Sequence, residues 1–283
     1  MFHGTNLNMS EFVTHISSLN NPRIKSVVRL KNRRERDARG LTVVEGQREA
    51  ARALQAGIVP QEAYVCPELL AMGDEGNIRG SLHRLSQAGT TQLFEVTSPV
   101  FEKMAYRGSS GGILLVIPYL KKSFDDLSEL SSAFLVVIDG VEKPGNLGAI
   151  LRTADAAGVD GLILTGDKAA GTDIHNPNVI RASLGAIFAV PVIAATAKEA
   201  INWLRDKGVR IAATTPAADE VYTAAALTGP LAVVMGSESL GLGSTWLDSA
   251  DLKVGIPMHG VVDSLNLSVS TALILYEVVR QRN

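Results

Sequence analysis

The chain has 283 residues, 46% of them apolar and 20% charged, enough to bury the core of one large domain or two ordinary ones. That balance excludes a disordered tail or a low-complexity linker. A single cysteine, Cys66, excludes an internal disulfide and a multi-cysteine zinc or iron–sulfur centre. The net charge of −2 hides an asymmetry, because residues 1–120 carry 14 basic and 11 acidic side chains and residues 121–283 carry 13 and 18. No two of the five histidines stand at helical i, i+4 spacing, so no metal site is expected. The most apolar run, Leu184 to Ala197, contains Pro191 and falls short of the ~20 residues that span a bilayer. Met1 to Glu11 shows no basic stretch followed by an apolar one, and a soluble cytoplasmic protein is the expectation.

In chain order, Asn20-Asn21-Pro22 opens a helix running toward Arg39, with Ile24, Val27, Val28 and Leu30 on its inner side. Pro22 to Arg52 is the most basic stretch, with ten Lys/Arg against four acids. Arg23, Lys25, Arg29, Arg33, Arg34 and Arg36 within it are candidates to bind a nucleic-acid backbone, where neutralised phosphates release counterions. A solvated basic face is the competing reading. Strands are expected at Leu41–Glu45, Ala63–Cys66, Gln92–Thr97 and Ile113–Pro118, and helices at Gln47–Ala56, Ile78–Gln87 and Ser98–Ala105. This alternation makes residues 1–120 a small α/β domain, with the Gly-rich stretch Arg107–Gly112 as a loop. Residues 121–132 are the expected linker.

Residues 133–283 begin with the apolar run Phe134–Ile138, of the kind buried in a parallel sheet. Helices are expected at Leu147–Ala157, Asn176–Gly185, Lys198–Lys207 and Ser264–Arg282. The strands between them fall at Gly161–Thr165, Val190–Ile193, Val209–Thr214, Leu231–Met235 and Lys253–Ile256. Five or six parallel strands covered by helices give a doubly wound sheet, which binds ligands beyond the carboxyl ends of its strands.

Three strand ends carry unusual residues. The first runs from Asp139 through Asn146 to Arg152 and Asp155, the second from Met235 through Glu238 to Gly243, and the third from Ile256 through Gly260 to Asn266 and Ser268. Asn146 suits a helix N-cap, and Asp263 or Ser264 could cap the last helix. Arg152 shares a face with Ala149 and Ala156, where an inward arginine needs a partner; Asp155 at i+3 would instead make it an ordinary surface pair. Neither Gly-x-Gly-x-x-Gly nor a P-loop is present, which disfavours a dinucleotide-binding oxidoreductase.

Together these three stretches resemble the signature motifs of the SpoU/TrmH family of knotted, S-adenosylmethionine-dependent RNA ribose 2′-O-methyltransferases. Residues 146–159 resemble the first motif, Val234–Glu238 with Gly241 the second, and Ile256–Val269 the third, in the family's order and spacing. Leu19–Lys25 through Val44-Glu45-Gly46 resembles the substrate-binding domain of ribosomal-RNA members, built like certain large-subunit ribosomal proteins. The resemblance implies a deep trefoil knot, S-adenosylmethionine as co-substrate with no metal, and RNA, ribosomal RNA foremost, as partner. It makes Arg152 the catalytic arginine, with Asn146, Glu238, Ser264 and Asn266 shaping the site around the ribose. Thr214, Met235, Gly236, Ile256, Met258, Leu265 and Asn266 would hold the donor. Arg152 would act either as the base for the 2′-hydroxyl or as a charged group orienting a phosphate and stabilising the alkoxide. The family also implies a homodimer through the second domain, for which Leu267, Ile274, Leu275 and Val278 offer a face on the last helix. Transfer-RNA methylation and a catalytically silent RNA-binding protein are the alternatives.

Overall fold

The computed structural model describes residues 13–70, 78–106, 111–127, 132–166 and 173–283. Contacts divide the chain into two compact units, one through Tyr119 together with His175–Pro177, the other Leu120–Ile174 with Asn178–Asn283.

The first unit runs β1 (Val13–Ile16), α1 (Pro22–Arg29), α2 (Arg33–Arg39), β2 (Leu41–Glu45), α3 (Gln47–Gln55), β3 (Glu62–Val65), α4 (Ile78–Gln87), β4 (Gln92–Val96), α5 (Ser98–Met104) and β5 (Ile113–Pro118). Its sheet has the order β1-β4-β3-β5-β2, with β5 antiparallel to both neighbours and the other pairs parallel. Ile24, Val27 and Leu30 pack with Val100, Phe101 and Met104 on one face of that sheet. The edge strand β1 escaped the sequence reading because four residues, Val-Thr-His-Ile, carry too short an alternation.

The single helix expected from Pro22 to Arg39 is two. Asn21 caps α1 by accepting from the Arg23 N–H at 2.9 Å. Asn32 caps α2 in the same way on Arg34, and an asparagine that bonds its own local backbone competes with helix continuation. Gly40, in the left-handed region at φ 61°, ends α2. Most of the stretch Arg107–Gly112 lies outside the described residues.

The second unit runs β6 (Phe134–Asp139), α6 (Pro144–Ala156), β7 (Gly161–Thr165), α7 (Pro177–Ala182), β8 (Val192–Ala194), α8 (Ala197–Asp206), β9 (Arg210–Thr214), β10 (Glu220–Val221), β11 (Leu231–Met235), α9 (Ser244–Leu247), β12 (Leu252–Gly255) and α10 (Leu267–Arg282). All seven strands are parallel, in the order β10-β12-β9-β11-β6-β7-β8. The two-residue β10 and the one-turn α9 were too short to read in the sequence. Leu135 and Val137 face one layer with Ile201, Leu204 and Trp246, while α6 and α10 pack together on the opposite side. At the helix–turn contact between α6 and α7, a Cβ on Gly148 would overlap Ala182, so only glycine allows that approach.

Part of the segment expected to be a bare linker is structured. Phe124–Leu127 form a 3₁₀ turn, Phe124 stacks on Trp203 at 4.9 Å between ring centroids, and Leu127 is buried against Gly161.

Candidate active site

Strands β6, β7 and β8 run outward in one direction, and the chain then crosses to build β9, β11 and β12 on the other side of β6. Such a reversal opens a crevice at the carboxyl ends of the strands. A cleft of about 450 Å³ lies there, within the range of small-molecule sites. The segments after β6, β9, β11 and β12 and the start of α10 line it.

All seven residues expected to hold a donor line the cleft: Thr214, Met235, Gly236, Ile256, Met258, Leu265 and Asn266. Val254 and Leu267 extend its apolar wall, and Glu238 and Asp263 bring negative charge to it. The Thr214 hydroxyl is already engaged, donating to the Val234 carbonyl at 2.8 Å. After β11 the chain turns back on itself, with reciprocal backbone bonds between Ser237 and Gly241. A Cβ at Gly236 would overlap the Gly241–Leu242 backbone, so this turn requires glycine.

Beside the cleft runs a hydrogen-bonded chain of side chains. Asn266 donates through Nδ2 to Asn146 Oδ1 at 3.1 Å, and Asn146 donates to Glu238 Oε1 at 2.5 Å. The second carboxylate oxygen of Glu238 accepts from the Glu142 backbone N–H at 3.2 Å, and Ser239 donates its hydroxyl to the Glu142 carboxylate. One residue from each of the three strand ends is thereby held in one network. Ser264, also on the cleft, is exposed.

Three local expectations change. Helix α6 starts at Pro144, so Asn146 lies in its first turn and uses its amide across the cleft rather than as a cap. Helix α10 starts at Leu267, capped by Asn266, whose Oδ1 accepts from the Ser268 N–H at 3.0 Å; neither Asp263 nor Ser264 caps it. Arg152 is exposed rather than inward, does not line the cleft, and makes no ion pair with Asp155 among the described residues.

The basic stretch of the first unit also divides. Arg36 is buried, donating to the carbonyls of Leu30 at 2.8 Å and Lys31 at 3.0 Å, which removes it from the candidate RNA-binding residues. Arg23 pairs with Glu62 at 2.5 Å and lies over the Phe94 ring. Lys25, Arg29, Arg33 and Arg34 are exposed. The sequence reading missed Thr215 and Pro216 on the cleft, although their position directly after β9 is the signal that would have found them.

Against known proteins, the SpoU rRNA methylase family matches residues 133–276, and an MRM3-like substrate binding domain matches residues 21–115. The 23S rRNA (guanosine-2′-O-)-methyltransferase RlmB of Shewanella oneidensis is 37% identical over 219 residues, 75% of this chain and 88% of that protein. A crystal structure of an RNA 2′-O ribose methyltransferase superposes with a TM-score of 0.79 at 38% identity, covering 95% of this chain and 99% of that one. The AdoMet-bound rRNA methyltransferase of Sinorhizobium meliloti does so at 0.83 and 28%, covering 95% and 98%. The family match spans more than half of the chain, and the chain belongs to the SpoU rRNA methylase family.

Proposed function

We propose that this chain transfers a methyl group from S-adenosylmethionine to a ribose 2′-hydroxyl of RNA, and that its substrate is large-subunit ribosomal RNA. The observation that carries the reading is the meeting of three strand ends around one cleft, tied together by Asn146, Glu238 and Asn266. The cleft suits the donor chemically. Its apolar wall of Val254, Ile256, Met258 and Leu265 fits an adenine ring and a methionine chain, and the carboxylates of Glu238 and Asp263 favour a sulfonium cation nearby. Thr214, Met235 and Gly236 would form the remaining lining. The bound donor supplies an electrophilic methyl group.

The protein's own residues have the work of orientation and charge. The chain Asn266–Asn146–Glu238 fixes amide and carboxylate groups beside the place where a ribose must sit, so attack needs little reorganisation. Ser264 adds a hydroxyl. Arg152 grips the phosphate of the target nucleotide and stabilises the 2′-oxygen as that oxygen passes its proton to solvent water and takes the methyl group, the sulfonium becoming a neutral thioether. A guanidinium is a poor base, and its planar fork matches a phosphate. The first unit, built as a ribosomal-protein-like RNA-binding domain over residues 1–120, brings the RNA through Lys25, Arg29, Arg33 and Arg34.

The return of the chain from β12 to α10 forms a trefoil knot in this proposal, and the cleft is its outer wall. The protein pairs with a second copy through α10. The four residues expected at that interface, Leu267, Ile274, Leu275 and Val278, are buried within their own chain. The outward face is instead Val269, Leu273 and Tyr276, exposed at i, i+4 and i+7. Among the described residues no helix is long and apolar enough to cross a membrane.

The test is to map 2′-O-methylation across ribosomal RNA from cells with and without the gene, alongside calorimetry of the purified protein with S-adenosylmethionine. One ribose that loses its methyl group with the gene, and saturable donor binding, are the expected results. An unchanged map together with no donor binding would overturn the assignment.

A further inference from the structure

The cleft is lined by two carboxylates and, among the described residues, by one cation, Lys143. Lys143 lies between β6 and α6, is exposed, and makes no side-chain hydrogen bond or ion pair among the described residues. Its backbone is firmly held: its carbonyl accepts from the N–H groups of Asn146 at 3.0 Å and Leu147 at 3.2 Å, and the adjacent Glu142 N–H bonds Glu238. A long ammonium side chain on a fixed root at the mouth of a cleft is a device for meeting an anion. Arg152, the cation expected to serve this site, is exposed but does not line the cleft.

We infer that Lys143 binds a phosphate of the RNA strand next to the target ribose, seating the 2′-hydroxyl at the acceptor end of the cleft. Its place favours the strand over the donor. The apolar wall comes from β12, the segment after it and the start of α10, whereas Lys143 stands at the start of α6, where its carbonyl accepts from the N–H of Asn146, the partner of Glu238. An ammonium acts there as a point charge with freely rotating donors, so it neutralises the strand without demanding one phosphate geometry. Lys143 is a binding residue in this assignment, distinct from the group that stabilises the transferring oxygen.

The inference rests on the methyltransferase reading, and the wild-type protein tests that reading by itself through donor binding and methyl transfer. Given an active wild type, Lys143→Gln should weaken RNA binding about tenfold, the loss of one charge-assisted hydrogen bond. The log–log salt slope of RNA affinity should become shallower by about 0.7 to 1, one phosphate contact fewer. KM for RNA should rise more than kcat falls, calorimetric affinity for S-adenosylmethionine should stay within about twofold, and Lys143→Arg should restore most of the RNA affinity. An unchanged affinity and salt slope in Lys143→Gln would overturn the inference. So would weakened binding of S-adenosylmethionine with undiminished binding of 5′-methylthioadenosine, which would assign the ammonium to the donor's carboxylate.

Discussion

Arg152 is the residue whose surroundings say least about its role and whose substitution says most. It is exposed two turns into α6 and lies outside the cleft that the donor would fill. A group that acts on the acceptor oxygen or its phosphate contributes chiefly in the transition state. Arg152→Ala should therefore lower kcat by about 10²–10⁴-fold and leave calorimetric donor affinity almost unchanged. Arg152→Lys keeps the charge and loses the fork, so single-turnover assays should find it severely impaired as well. Full activity in the lysine variant would reduce the requirement to a point charge. The same residue marks where sequence reasoning ran out. The identities of Asn146, Glu238 and Asn266 were legible because they stand in three spaced motifs. Their mutual bonds were not, because each spans 92 or 120 residues. The inward orientation given to Arg152 came from neighbouring alanines, and small residues accompany an exposed position as easily as a buried one.

At the scale of elements, a run of like charge proves to be two kinds of arginine. On α2, Arg36 closes the carbonyl end of α1 while Arg34 faces outward, a distinction set by a two-residue step around the helix. Arg36→Ala leaves buried carbonyls without donors and should cost about 1–3 kcal/mol in denaturant unfolding. Arg29→Glu with Arg34→Glu should leave the unfolding midpoint almost unmoved, yet weaken RNA binding and flatten its salt dependence. Equal RNA affinity in that double variant would return the patch to a solvated face. Helix α10 repeats the lesson in its last turns. Glu277 is buried and accepts from Arg280 at 2.6 Å and from Gln281 at 2.7 Å. These hydrogen bonds, the Arg280 guanidinium first among them, hold its pKa near 2, below the ordinary 4.5. The unfolded chain takes up this proton first on acidification, so the stabilisation is full above about pH 4.5 and is lost as the pH falls toward 2. Glu277→Gln should flatten that limb of an acid-unfolding curve. The heptad-like spacing of Leu267, Ile274 and Val278 was visible in the sequence, but periodicity identifies a buried stripe without saying which surface buries it.

At the scale of the molecule, the two units make different demands on an experiment that separates them. The second holds the cleft, the three motif segments and its own core, so a fragment of it should fold and bind S-adenosylmethionine while methylating RNA poorly at low RNA concentration. Where the fragment begins decides whether this works. Leu127 is buried against Gly161, and Phe124 stacks on Trp203 of α8, so the 3₁₀ turn belongs to the second unit's packing although its polar neighbours suggested a linker. A fragment beginning at Leu120 keeps both contacts; one beginning at Ser132 removes a buried leucine and a stacked aromatic. Truncations of buried apolar side chains of this size cost about 2–5 kcal/mol, a large share of a domain's net stability. The longer fragment should therefore melt well above the shorter one. By calorimetry it should bind the donor with nearly the affinity of the full chain, since every residue lining the cleft lies between 143 and 270. Sedimentation of the same fragment at micromolar concentration should give a dimer, and Leu273→Glu with Tyr276→Glu, two exposed positions one turn apart on α10, should convert it to a monomer without lowering its melting temperature. A monomeric wild-type fragment would remove α10 as the pairing face. Full methyl transfer by that fragment at low RNA concentration would mean that the basic helices α1 and α2 are not what brings the RNA to the cleft.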